Sequence, residues 1–282
     1  MMGWLRSWIV SNLTGRAAPV PQAPAPMTAW GRYGRILRNV LTVSVAACVI
    51  GGAIWYVLGH RHPDWAVIVV AGDWRAHDGS PTEGFDNARR DVSAALIGIG
   101  FKSEDLAQFS VRPDRYAASH VLPADGPIIG TTLDALASRA GDGCLLYFTS
   151  HGTPWGMVLG DTIVAPDDLA RLVNGICRDR PTVVVISACY SGAFVPALRG
   201  ANRMVITAAR ADRTSFGCGQ GDEYPYFDTC VIANLQSAHG FAQLADRVRD
   251  CVAKREYETG VSPPSEPQIS IGANVAAQLP TW

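Results

Sequence analysis

Two side chains in this sequence have types and settings suited to breaking an acyl bond. Cys189 follows an unbroken β-branched run, Val183-Val184-Val185-Ile186, within residues 182–192. His151-Gly152 follows a second apolar run, residues 144–149. A thiol has an unperturbed pKa of about 8.5, so at neutral pH it needs a base or an electropositive setting to act as a nucleophile. A neighbouring imidazole supplies that base and can later protonate a leaving amine. Gly152 lets a backbone N–H approach a reacting carbonyl, and the Cys189 N–H would be the second donor of an oxyanion hole. The competing reading of Cys189, one of seven cysteines, is a small packed residue in a turn.

These two residues need elements that bring them together. Apolar runs of this kind, bounded by Pro181 and Gly192, read as strands buried on both faces, and open α/β sheets place their sites at the carboxyl ends of strands. The pattern predicts strands over 66–71, 109–111, 144–149, 183–186 and 204–208, with an edge strand over 268–272. Helices are expected over 85–99, 131–140 (capped by Thr131 or Thr132), 166–177, 227–237 and 241–257. Such alternation means a parallel sheet covered by helices on both sides. If the third and fourth strands are neighbours, His151 and Cys189 meet at one edge.

Composition narrows the function classes. The 282 residues can hold one large domain or two small ones, with ample apolar content for a core. A formal charge of −1 and the absence of a basic patch with interleaved aromatics exclude a nucleic-acid footprint. No Cys-x-x-Cys pair occurs and no His stands at zinc-ligand spacing from two cysteines, which argues against a structural zinc site. The odd cysteine count leaves at least one thiol free. A Cys218–Cys230 disulfide is one expectation and buried free thiols, Cys144 among them, the other; Cys177 and Cys251 receive no partner.

The amino-terminal part is different in kind. Residues 1–39 read as a cytoplasmic tail with a Pro/Ala-rich linker at 19–26 that cannot be helical. Trp4, Leu5, Trp8, Ile9 and Leu13 recur at helical spacing, which reads either as an interfacial helix on a membrane or as an apolar, poorly ordered start. Residues 40–58 are about 19 in a row without a charge, enough to cross a hydrocarbon core of about 30 Å. Arg32, Arg35 and Arg38 precede them, so the positive-inside rule puts the amino terminus in the cytoplasm and the rest of the chain outside. A single-pass signal anchor is expected, followed by a catalytic domain over 64–272 and a tail over 273–282.

The stretches Tyr147-Phe148-Thr149-Ser150-His151-Gly152 and Ile186-Ser187-Ala188-Cys189-Tyr190-Ser191-Gly192, about 38 residues apart from His to Cys, resemble the legumain family of cysteine peptidases, most of all its bacterial members. That family includes asparaginyl endopeptidases and the catalytic subunit of GPI transamidase. The resemblance implies a caspase-like α/β/α sandwich with a mainly parallel sheet, His151 as general base and acid, Cys189 as the acyl-enzyme nucleophile, a peptide or protein substrate, and no metal or cofactor. With the anchor, it implies a domain on the periplasmic side of a bacterial inner membrane. Legumains place a Glu directly after the nucleophile, part of the pocket that reads asparagine; Tyr190 stands here. Their pocket Arg has no clear match around residues 85–88. Asp222 or Glu223 is a candidate acidic pocket residue, with a solvated loop as the alternative. Asp73 and Glu83 are candidates for orienting His151.

The sequence also accommodates two other functions. One is a Cys-dependent, α/β-hydrolase-like esterase ordered Cys189, Asp212 or Asp222, His239. The other is a catalytically silent caspase-like module that binds partners at the membrane.

Overall fold

A computed structural model describes residues 29–59 and 64–282; the expected interfacial helix and the Pro/Ala-rich linker lie outside the described residues. The chain divides into two units, residues 1–59 and 60–282. Within the first, helix α1 (Ala29–Gly59) covers the apolar run read as the anchor. Among the described residues no helix is long and apolar enough to cross a membrane, so the span rests on the sequence pattern alone.

The second unit is built on β1 (Trp65–Ala71), β2 (Leu106–Ser110), β3 (Leu122–Pro123), β4 (Gly143–Thr149), β8 (Thr182–Ser187), β9 (Arg203–Thr207) and β10 (Gln268–Ile271). They form one seven-stranded sheet in the order β10-β9-β8-β4-β1-β2-β3, parallel throughout except for β10. Every residue of β1, β4 and β8 is buried, because helices cover both faces and side chains alternate between them. Val67, Val69, Leu145, Tyr147 and Val185 join one core with α2 (Gly84–Gly98), α6 (Tyr226–Leu235) and α7 (Phe241–Thr259). Ile68, Val70, Leu146, Phe148 and Ile186 join the other with α3 (Gly126–Arg139), α4 (Pro166–Ile176) and the short α5 (Val195–Leu198). The expected α/β/α sandwich with a mainly parallel sheet is therefore the architecture observed.

Three local features differ from the sequence pattern or add to it. Helix α3 starts earlier than its Thr pair, because Asp125 is the cap, accepting from the Ile128 N–H at 3.3 Å, and Pro127 lies in the first turn. Thr131 instead donates back to the Pro127 carbonyl at 2.9 Å. Residues 152–164, for which the sequence pattern gives no element, form a small antiparallel sheet of β5 (Gly152–Thr153), β6 (Gly156–Leu159) and β7 (Thr162–Val164). Finally, Cys218 is not bonded to Cys230. The disulfides are Cys144–Cys177, tying β4 to the end of α4, and Cys230–Cys251, tying α6 to α7. One lies in each core, while Cys189 and Cys218 stay reduced.

Candidate active site

Strands β4 and β8 are direct parallel neighbours, with Thr149 opposite Ser187 as their last pair. His151 and Cys189 each follow two residues later. The same offset from the same registered pair puts them side by side on the carboxyl edge. The Ser150 N–H reaches the Ser187 carbonyl at 3.0 Å, carrying the strand contact one step beyond the ladder. Gly152 then runs so close to the Cys189 turn that a Cβ there would stand 1.9 Å from the Cys189 carbonyl oxygen. No other residue fits that approach. The β5–β6 hairpin braces this turn, since the His151 carbonyl accepts from Val158 N–H at 2.9 Å and Gly152 pairs with Met157.

His151 is half-buried, and its Nε2 lies 2.7 Å from the Arg75 carbonyl oxygen. A carbonyl only accepts, so Nε2 carries the proton and Nδ1 keeps a free lone pair. The Phe85 ring packs edge-on against the imidazole, with centroids 5.0 Å apart. Neither carboxylate expected to orient His151 is its partner. Asp73 is buried one step away: its Oδ1 accepts from the Trp74 N–H at 2.7 Å and from the Arg75 N–H and Nε, both at 3.1 Å. It thereby fixes the loop whose carbonyl holds the imidazole. Glu83 is engaged elsewhere, with Arg112 at 3.3 Å, Arg115 at 3.0 Å and the Tyr116 hydroxyl at 2.7 Å.

Cys189 is half-buried and its Sγ accepts the Ser215 N–H at 3.2 Å. Tyr190 takes a left-handed conformation (φ 57°) and donates its N–H to the Arg213 carbonyl at 2.7 Å. Gly192 must be small because a Cβ would lie 2.6 Å from Ala211 N. The loop after β9 thus clamps the Cys189 turn from the far side. In that loop burial pushes the Cys218 thiol up, helped by Cys189, Asp228 and Asp222, so it stays protonated at neutral pH. Asp222 is half-buried and spends its carboxylate on the Gly219 N–H at 2.7 Å; Glu223 is exposed, and its carbonyl accepts from Asn87 Nδ2 at 3.2 Å. The loop packs on the start of α2, but among the described residues no hydrogen bond joins either acid to Tyr190.

The esterase arrangement is not formed. His239 is exposed in the turn between α6 and α7, two residues before Phe241, whose ring stacks on Trp65 at the amino end of β1. That is the opposite edge of the sheet from Cys189. Asp212 is held by Arg210 and Arg213.

One further residue went unnoticed in the sequence. Asp228 of α6 is fully buried beneath the site and accepts from the hydroxyls of Tyr147, Thr149 (2.7 Å) and Ser187 (2.9 Å). Its only signal was an acid inside the apolar run Tyr226-Phe227-Asp228-Thr229-Cys230-Val231.

A Cys and a His on adjacent strand ends of a helix-covered parallel sheet define a caspase-like α/β protein. Matching this, caspase-1 from Spodoptera frugiperda superposes with a TM-score of 0.54 at 17% identity, over 76% of this chain and 88% of that one. The profile of the Peptidase C13 family matches residues 61–260, and the chain belongs to that family. No curated protein sequence matches the chain significantly. Family and fold together support a cysteine peptidase acting on peptide or protein substrates.

Proposed function

We propose that this chain is a membrane-anchored cysteine endopeptidase of legumain type, working through a Cys189–His151 dyad. One observation carries the reading: His151 and Cys189 stand at equal offsets past the Thr149–Ser187 pair, with Gly152 packed against the Cys189 carbonyl. His151 Nδ1 takes the Sγ proton, and the thiolate attacks the scissile carbonyl carbon. The oxygen gains negative charge and is met by the Gly152 and Cys189 N–H groups. When the C–N bond breaks, His151 protonates the leaving amine, and a thioester to Cys189 remains. A water molecule deprotonated by His151 then hydrolyses it and restores the thiol. The Arg75 carbonyl holds the imidazole by its other nitrogen throughout, in both its neutral and its charged form.

Asparagine specificity is not part of the proposal, because Tyr190 occupies the position of the family's pocket Glu and Asp222 is engaged in its own turn. Residues 40–58 serve as the anchor, with the peptidase unit outside the cytoplasm. The charge-free run and the flanking arginines support this, as do the exposed apolar side chains Leu41, Val45 and Val49 on a continuous helix. The test is a peptide-library digest with the full chain and with Cys189→Ala. Cleavage products that vanish in the variant are expected. Products that persist, or an intact library with the unsubstituted chain, would refute the peptidase reading.

A further inference from the structure

A buried carboxylate without a cation is an expensive thing to keep, because an apolar residue of similar size usually packs there at lower free energy. Asp228 is such a group: it is 0% exposed and has no ion pair among the described residues. Its three partners are all hydroxyls, and their arrangement is specific. Thr149 and Ser187 are register partners, the last paired residues of β4 and β8, and Asp228 Oδ2 accepts from both, at 2.7 and 2.9 Å. Oδ1 accepts from Tyr147, two residues earlier on β4. The helix carrying the acid is itself fixed, since Cys230, two residues on, is disulfide-bonded to Cys251 of α7.

We propose that Asp228 is a positioning residue for the dyad: one carboxylate oxygen ties together the ends of the two strands that carry His151 and Cys189, and so sets their separation. The inference deepens the cysteine-peptidase reading and rests on it. An ionised carboxylate only accepts, which lets all three hydroxyls donate inward at once. A neutral acid or an amide brings a donor of its own. One hydroxyl must then turn round to accept, or its strand end must shift, two residues before the reacting atoms.

The titratable groups facing Asp228 are Tyr147 from β4 and Cys218 from the loop after β9. Burial pushes both upward, so at pH 7.5 Tyr147 is a neutral donor and Cys218 a neutral thiol. Asp228 is pushed up to about 6 by burial, against the opposing pull of its three hydroxyl donors. It is therefore ionised at pH 7.5 and neutral in mild acid, where the tie loosens.

The test uses the full chain, Asp228→Asn and Thr149→Val. Peptide kcat and KM are measured from pH 5 to 8.5, together with the rate of iodoacetamide alkylation at Cys189, resolved from the other thiols by mass spectrometry. At pH 7.5, Asp228→Asn is expected to lower kcat on the order of tenfold with KM unchanged, since the dyad shifts and the substrate contacts do not. It should also slow Cys189 alkylation and lose the part of the acid limb near pH 6. Thr149→Val keeps the carboxylate but removes a donor that holds it ionised, so its acid limb should move to higher pH. A merely structural acid would move stability and leave these profiles in place. Wild-type kcat, acid limb and alkylation profile in Asp228→Asn would overturn the proposal. If that variant does not fold, an unshifted limb in Thr149→Val overturns it instead. If the unsubstituted chain cleaves no peptide, the peptidase reading fails on its own account, and the alkylation profiles alone decide whether Asp228 controls Cys189.

Discussion

Asp86 and Asp228 are both buried carboxylates at the first turn of a helix, and they are neutralised in opposite ways. Asp86 at the start of α2 accepts from Arg89 Nε at 3.1 Å and Arg112 at 3.2 Å. Arg89 and Arg112 in turn lie over the Tyr116 and Trp74 rings. Among the described residues, Asp228 at the start of α6 has only hydroxyls as partners. Charge balancing charge makes the first cluster a fastening between α2 and the segment after β2. The second acid is left poised, with a proton affinity set by burial and by two strand ends. One carboxylate holds the fold, and the other lies beneath the strand ends that lead to His151 and Cys189, at a cost to the fold.

That contrast can be broken most severely at Asp86. Replacement by Ala leaves the buried Arg89 without its carboxylate, and calorimetry should show a loss of about 3–5 kcal/mol. A loss below about 1 kcal/mol would mean the cluster does not fasten anything. At Asp228 the sign differs. Its folded value of about 6 lies above the ordinary 3.8, so the folded protein holds that proton more tightly than the unfolded chain does. The resulting stability is complete below about pH 4 and is lost as pH rises through about 6. Asp228→Asn carries no such proton, so its melting temperature relative to wild type should climb between pH 4 and pH 7.5; a constant difference would contradict the assignment. The smallest effect is expected at Glu83, whose side chain is 42% exposed. Glu83→Gln should change stability by less than about 1 kcal/mol and leave peptide turnover unchanged, because its partners are Arg112, Arg115 and Tyr116 and not His151.

The sequence made the sheet legible where burial is two-sided. The runs at β1, β4 and β8 are continuous because no polar face is needed, and the small residues after β4 and β8 mark the turns that carry His151 and Cys189. The hairpin β5–β7 escaped notice because its strands are two to four residues long, too short to show alternation. The disulfides were illegible for another reason. Cys144 meets Cys177, and Cys230 meets Cys251, only once the helices have chosen their faces of the sheet. The partner of His151 is a main-chain carbonyl, which no residue type announces. Asp73 is one of two candidates for orienting His151, but its carboxylate acts through the Arg75 backbone, a distinction that depends on the loop's path.

The central claim is that Cys189 works with the imidazole on its own sheet edge and not with the exposed one on the opposite edge. It is tested most directly by comparing His151→Ala with His239→Ala in the full chain, each assayed on peptide and ester substrates. The account predicts that His151→Ala abolishes turnover of both while His239→Ala retains it. Loss of turnover in His239→Ala alone would contradict the account.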